Sequence, residues 1–272
     1  MEEQSLLSPI ASFETGMMQV ANWQGAWIGD GKDIHYTPAP YFRKTFQTDK
    51  EIRSARIYIA VGGLYELYVN GERIGDHRLD PLFTRFDRRN LYVTYDVTPQ
   101  LREGNNAIGV LLGNGWYNHQ SKAVWDFDRA PWRNRPTFCL DLRITYSDGT
   151  VETIPTDLSW KTASGALVFN SIYTGEHYDA RLEQKGWNQP DFDDSQWHGV
   201  SFRSAPSQQV VAEQSRPIRH VQTFPARSVK QINDRTYLFD FGQNMAGVTR
   251  IRMSGEAGTE VRIKHGERLS AD

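Results

Sequence analysis

The chain has 272 residues, 39% hydrophobic and 24% charged, with 31 basic against 33 acidic side chains and a formal net charge of −2. That length holds one large or two modest domains, each able to bury a core. The charge balance excludes a strongly basic nucleic-acid footprint, the single Cys139 excludes an internal disulfide and a cysteine-rich metal site, and no apolar stretch reaches the roughly 18 residues of a membrane helix.

Met1–Gln19 carries Glu2 and Glu3 where a secretory leader carries positive charge, so it does not read as a signal peptide. Aromatic residues make up 12% of the chain, eight of them tryptophans. Such side chains suit pleated, half-buried surfaces and lean the chain towards β structure. Tryptophan is also a platform for sugar rings, whose axial C–H faces lie flat on an aromatic face, although most tryptophans belong in cores.

The period is two almost throughout. Ile57, Ile59 and Val61 alternate with Arg56, Tyr58 and Ala60. Leu64–Val69 then runs into Asn70-Gly71, the dipeptide that supplies positive φ for a type I′ turn, and Glu72–Gly75 returns as the second arm of a hairpin. Leu91, Val93, Tyr95 and Val97 form another alternating set, and Asn106–Leu112 reads as a buried strand bounded by Gly104 and Gly113. Phe138, Leu140, Leu142, Ile144 and Tyr146 alternate next, and Ser147–Thr150 turns the chain back into Val151–Pro155. Short helical turns are expected at Thr98–Glu103 and Asp193–Trp197. The polar, proline-punctuated stretch 205–223 reads as a connection. Beyond it, Tyr237–Phe241, Val248–Met253 and the alternating Thr259–His265 read as strands of a second β unit.

Between the strands, Gly113–Arg135 stands out. It carries Trp116, Tyr117, His119, Trp125, Phe127 and Trp132 among Asn, Asp, Arg and Gly, with no sustained period. It is too aromatic for disorder and too polar for a core strand, the composition of a functional loop.

Catalytic motifs are absent. No nucleophile elbow or phosphate-binding loop occurs, and the seven histidines show no i, i+4 pair for zinc. Three local carboxylate pairs, Glu176 with Asp179, Asp126 with Asp128, and Asp193 with Asp194, have the residue type that glycoside hydrolysis needs. Catalytic partners normally come from different elements, however, so Asp179 reads better as the ion-pair partner of Arg181 and Asp193-Asp194 as the start of a turn. The oxygens of Asn114, Asn118, Asp126, Asp128 and Asn134 suit calcium, which can also hold vicinal sugar hydroxyls. The alternative is that they bond their own backbone.

Several strings together resemble one family. Phe42–Phe46, Tyr65–Gly71 with Gly75-Asp76, Tyr95–Thr98, and Asn105–Val110 running into Leu112–Tyr117 are similar to the N-terminal region of bacterial α-L-rhamnosidases. So are Gly175–Arg181, Gly186-Trp187 with Phe192–Ser195 and Trp197, and Phe239–Gly247. The resemblance implies an all-β chain. Residues 1–20 would be the tail of a preceding fibronectin-like domain or a linker. Residues 21–205 would form a jelly-roll-like, galactose-binding-like β-sandwich, and 206–272 a connection and the truncated start of a second sandwich.

The family's catalytic (α/α) barrel, with its inverting pair of glutamates, would lie beyond Asp272, so no catalytic residue carries over. In some relatives the sandwich binds rhamnose through calcium, and in others it buttresses the barrel. On the first reading Trp116, Tyr117 and Trp125 stack on the ring of an L-rhamnose-containing saccharide, and Asn114, Asp126 and Asp128 bind hydroxyls or calcium. On the second, the same loop docks the barrel. Neither reading calls for nucleic acid or membrane, and the compartment stays open between periplasm and cytoplasm.

Overall fold

The computed structural model describes residues 13–122 and 124–268. Two compact units divide the chain, Met1–Ile218 and Arg219–Asp272. In the first, the strands up to the aromatic loop are β1 (Ile28–Gly29), β2 (Pro40–Thr48), β3 (Ile52–Gly62), β4 (Leu64–Val69), β5 (Glu72–Arg73), β6 (His77–Arg78), β7 (Asn90–Asp96) and β8 (Gly104–Gly113). After it come β9 (Thr137–Tyr146), β10 (Val151–Pro155), β11 (Lys161–Ser164), β12 (Leu167–Ser171), β13 (Gly175–Tyr178), β14 (His198–Gly199), β15 (Ser201–Phe202) and β16 (Val210–Ala212).

These strands build a jelly-roll-like sandwich. One sheet has the order β15-β1-β9-β3-β7-β16, with β10 also on β9, and the other has the order β14-β11-β2-β8-β4-β5. Neighbours run antiparallel except β16, which lies parallel to β7. The expected hairpin forms: Asn70 and Gly71 have φ of 51° and 86°, and Val69 faces Glu72 across the turn. Glycine removes the steric cost of the second left-handed position.

Period-two patterning decides which side chains meet. Ile57, Ile59 and Val61 point into a core shared with Leu67, Val110, Leu140 and Leu142, all essentially excluded from solvent. Phe42 and Phe138, from opposite sheets, pack edge to face at 5.0 Å, and Phe138 meets the fully buried Trp160 at 5.4 Å. Burying each such aromatic contributes about 1.5–3 kcal/mol. The Trp160 indole keeps a partner by donating to the Pro155 carbonyl.

Both outer faces are covered as well. Tyr58, Ala60 and Tyr92 on the first sheet pack with Met17, Trp23, Trp27 and Val210. The buried Asp141 carboxylate accepts from the Gln24 and Gly25 backbone N–H groups at 2.9 and 2.7 Å, which fixes that cover. On the second sheet the arm 183–197 lies across the strands. Trp187 sits on Gly109, where an added Cβ would fall 2.7 Å from the indole, and packs edge to face on Tyr41 and Tyr68. Arg43, 1% exposed, staples the arm by donating to the Trp187 and Gln189 carbonyls and to the Asp194 carboxylate.

Several expectations change. The segment at Thr98–Gln100 is one 3-10 turn, and Asp193–Trp197 is a turn capped by Asp193, whose Oδ1 accepts from Ser195 N. The sandwich unit extends past 205, because β16 joins the sheet. Of the tail expected at 1–20, residues 1–12 lie outside the described residues, whereas Met17 is buried and donates its N–H to the Tyr92 hydroxyl.

In the second unit Ser228–Asn233 and Thr236–Asp240 form a hairpin, which includes most of the expected Tyr237–Phe241 strand. Residues 248–253 and 259–265 form no strand. Their alternation supplies an apolar face, but a strand also needs a neighbouring backbone ladder, and none pairs with them among the described residues. Ile251, Val261 and Ile263 stay 42–48% exposed.

Candidate functional site

The loop between β8 and β9 separates into a buried polar base and an exposed aromatic crest. The base starts at Asn114, 2% exposed. Its N–H donates to Asn170 Oδ1, its Nδ2 to the Asn170 carbonyl, and its Oδ1 accepts from Asn118 Nδ2. Asn118 Oδ1 in turn accepts from Arg133 Nε, and Asn134 Oδ1 accepts from Arg135 N. Arg135 forks onto Asp30, with Nη2 at 2.6 Å from Oδ2, and also donates to the Tyr36 and Pro38 carbonyls.

This corrects two expected sugar contacts. Asn114 spends its amide tying the loop to β12. Tyr117, also 2% exposed, packs edge to face on Phe86 at 5.1 Å, and burial pushes its phenol up to about 12. Neither presents a face to a ligand, because both lie beneath the loop they close.

The crest is aromatic. Half-buried Trp116 meets Phe83 at 5.8 Å, Phe127 at 5.3 Å and Tyr173 at 5.3 Å, all edge to face. Trp132 donates its indole N–H to the Trp116 carbonyl. Phe83 and Tyr173 come from other loops and remain about half exposed. Sequence reading missed both: neither belongs to a motif or a periodic set, and only the fold brings them to Trp116. Trp125 stands out furthest, 74% exposed, and packs against Phe127 at 6.0 Å. Trp125 and Asp126 have φ of 69° and 53°. Two consecutive non-glycine residues in the left-handed region cost about 1–2 kcal/mol each. This strain holds the tryptophan outward, and backbone strain of this kind clusters at ligand clamps and active sites in proteins generally.

The carboxylates diverge. Asp126 is exposed, whereas Asp128 turns inward, with Oδ1 buried and unpartnered among the described residues. Nearby His119 has an equally unpartnered Nε2; burial pushes its pKa down, and Asp128 opposes the shift. Calcium takes six to eight oxygens. The side-chain oxygens of Asn114, Asn118 and Asn134 are already used internally, and no group of three His, Cys, Asp or Glu poised for a metal occurs among the described residues. The expected calcium set of Asp126, Asp128 and the asparagines therefore does not fit as placed.

The other carboxylate pairs have structural roles. Asp179 takes a two-pronged ion pair from Arg181, which holds its pKa down at about 2, and Asp194 binds Arg43 and Lys161.

Residues 50–222 match the family described as the alpha-L-rhamnosidase N-terminal domain, and residues 230–272 match the bacterial alpha-L-rhamnosidase concanavalin-like domain. The chain is similar to an alpha-L-rhamnosidase of Alteromonas sp. (strain LOR), 35% identical over 274 residues, covering 96% of this chain and 29% of that protein. Among solved structures it is similar to the alpha-L-rhamnosidase of Dictyoglumus thermophilum, with 41% identity and a TM-score of 0.76 over 85% of this chain and 27% of the other. It is also similar to the Streptomyces avermitilis alpha-L-rhamnosidase complexed with L-rhamnose, with 36% identity and a TM-score of 0.71 over 77% and 20% of the two chains. The chain thus spans less than a third of the length of each.

Proposed function

The chain belongs to the α-L-rhamnosidase N-terminal domain family, and on that premise we propose that it is a non-catalytic, saccharide-binding part of an α-L-rhamnosidase. The full-length protein would remove terminal α-linked L-rhamnose by inverting hydrolysis, in a catalytic barrel of the same chain. The observation that carries the binding role is the crest itself: Trp125, held outward at an energetic cost, beside half-exposed Phe83 and Tyr173. A sugar presents one apolar face and a rim of hydroxyls, and an exposed aromatic face takes the former without desolvating the latter.

Metal is not required by this reading. Trp116 supports the crest from beneath, and Trp125 is the stacking residue. The second reading, a scaffold surface that docks the barrel, is favoured by the same exposed rings, because exposed apolar patches also mark domain interfaces.

Calorimetry separates the two. The chain is titrated with L-rhamnose and with a rhamnose-terminated oligosaccharide, with and without a chelator. Binding that disappears in Trp125→Ala supports the saccharide role, and the absence of heat under every condition leaves the scaffold. Loss of binding with the chelator would show that metal takes part after all. Release of chromophore from an aryl α-L-rhamnoside by this chain alone would overturn the non-catalytic assignment.

A further inference from the structure

Away from the aromatic crest, a cavity of about 220 Å³ opens between residues 30–38, β11 and β14. Asp30, Lys32, Tyr36, Ser164, Gln196 and His198 line it. Asp30 contributes no net charge: Arg135 forks onto it, and the Lys32 N–H donates to Oδ1 at 3.2 Å.

The remaining charge is positive. Lys32 Nζ lies 5.5 Å from the Tyr36 ring centroid and has no carboxylate partner among the described residues. Arg203 braces the same segment by donating to the Lys32 carbonyl at 2.9 Å; its Nε is buried without a partner, and it too has no carboxylate partner among the described residues. The wall is rich in donors. The Tyr36 hydroxyl and Ser164 Oγ lie 3.2 Å apart, so one hydroxyl proton is used between them and the other is left to donate. The Gln196 amide and the His198 ring add further donors.

The segment is also held in place. Asn118 Nδ2 donates to the Ile34 carbonyl at 3.1 Å, Gln120 Nε2 to the Tyr36 carbonyl at 3.1 Å, and Arg135 Nη1 to that same carbonyl at 2.7 Å. A wall fixed before binding avoids the cost of ordering it afterwards.

We propose that this cavity is a second ligand site, which takes a single anionic sugar ring of the hexuronate class, with Lys32 as charge partner of the carboxylate. The volume is smaller than the roughly 300 Å³ at which drug-sized pockets begin, and so suits one ring. A carboxylate has two oxygens, and once Lys32 is paired with it, Tyr36 with Ser164, Gln196 and His198 offer more donors than it can use. Ring hydroxyls use the surplus, which a bare carboxylate cannot. The site is independent of the crest and does not rest on its proposed role.

The test titrates the 272-residue chain with sodium D-galacturonate, with D-galactose and with acetate at low salt. Galacturonate is expected to bind about tenfold or more tightly than either of the others, and to weaken severalfold in about 0.5 M NaCl, where screening is strong. Lys32→Met, a change at an exposed side chain with folding checked by its melting curve, is expected to reduce galacturonate affinity about tenfold or more. Trp125→Ala is expected to leave it unchanged, so failure of the crest reading and failure of this one are separable. Equal binding of galactose, equal binding of acetate, an unaffected Lys32→Met variant, or no heat with any probe would each overturn the proposal.

Discussion

Arg135 and Asp30, 105 residues apart in the chain, meet in a forked ion pair whose side chains are 1% and 5% exposed. The pair joins the base of the aromatic loop to residues 30–38, and the same guanidinium carries the Tyr36 and Pro38 carbonyls. One buried cation thus holds both candidate ligand surfaces in place.

Removing one partner leaves the other charge buried and unpaired, which costs about 3–5 kcal/mol. Arg135→Met is therefore expected to lose stability on that scale in urea unfolding. A loss below about 1 kcal/mol would mean that water reaches Asp30 and that the pair is not the clamp described.

The arm across the second sheet depends on the absence of a side chain at position 109. Gly109→Ala places a methyl 2.7 Å from the Trp187 ring and 3.0 Å from Asn188 Cβ. Overpacking of this kind costs about 1–3 kcal/mol. The expected result is a lowered melting temperature together with a changed tryptophan emission; an unchanged spectrum would show that the arm does not lie where Trp187 places it.

Trp125 separates stability from binding. Trp125→Gly relieves a left-handed φ and removes a mostly exposed ring, so the variant is expected to be as stable as the parent, or more stable by about 1 kcal/mol. Saccharide or domain docking at the crest is expected to fail. A strongly destabilised variant would instead make Trp125 part of the core.

Cys139 is buried, and burial pushes its thiol up to about 12. Only the thiolate attacks a disulfide reagent. At pH 8 the folded chain is expected to react at the rate at which it opens, with full reactivity in denaturant. Prompt reaction of the native chain would contradict the packing around β9.

Glu213 ties the end of β16 to the loop after β6, accepting the Leu82 N–H at 3.1 Å. Burial raises its pKa most; the Leu82 N–H opposes the rise, the Asp80 carboxylate adds to it, and His77 lowers it slightly. A carboxyl whose folded pKa is raised favours its protonated form. Its contribution to stability is therefore complete below the ordinary carboxylate range and is lost as pH rises through the folded value. Glu213→Gln is expected to reduce the loss of stability that sets in as pH rises above the ordinary glutamate value of about 4.3, read as the pH dependence of the urea midpoint. A variant whose profile overlies the parent's would remove Glu213 from the account.

Local rules reached the features that local chemistry decides. The Asn70-Gly71 hairpin, the turn at Ser147–Thr150 and the inward set Ile57, Ile59, Val61 follow from turn residues and period two, which act within a few positions. Burial in the aromatic loop did not yield to the same reading. Trp125 and Tyr117 lie eight positions apart in one composition, yet one is 74% exposed and the other 2%. The difference depends on Phe86, Phe83 and Tyr173, supplied by loops distant in sequence. In sequence Asn114 is open to a ligand role or a backbone tie, and only the position of Asn170 decides between them. Nor does alternation alone make a strand, as residues 259–265 show by having no ladder to join among the described residues.

Met17 donates its N–H to the Tyr92 hydroxyl and Glu213, just after β16, donates its N–H to the Tyr92 carbonyl, so the polypeptide enters and leaves the sandwich beside one residue of β7. A module with adjoining entry and exit can be spliced into a host surface loop without prying it apart. It can also be rewired, with its old ends joined and new ones cut at the Ser147–Thr150 turn.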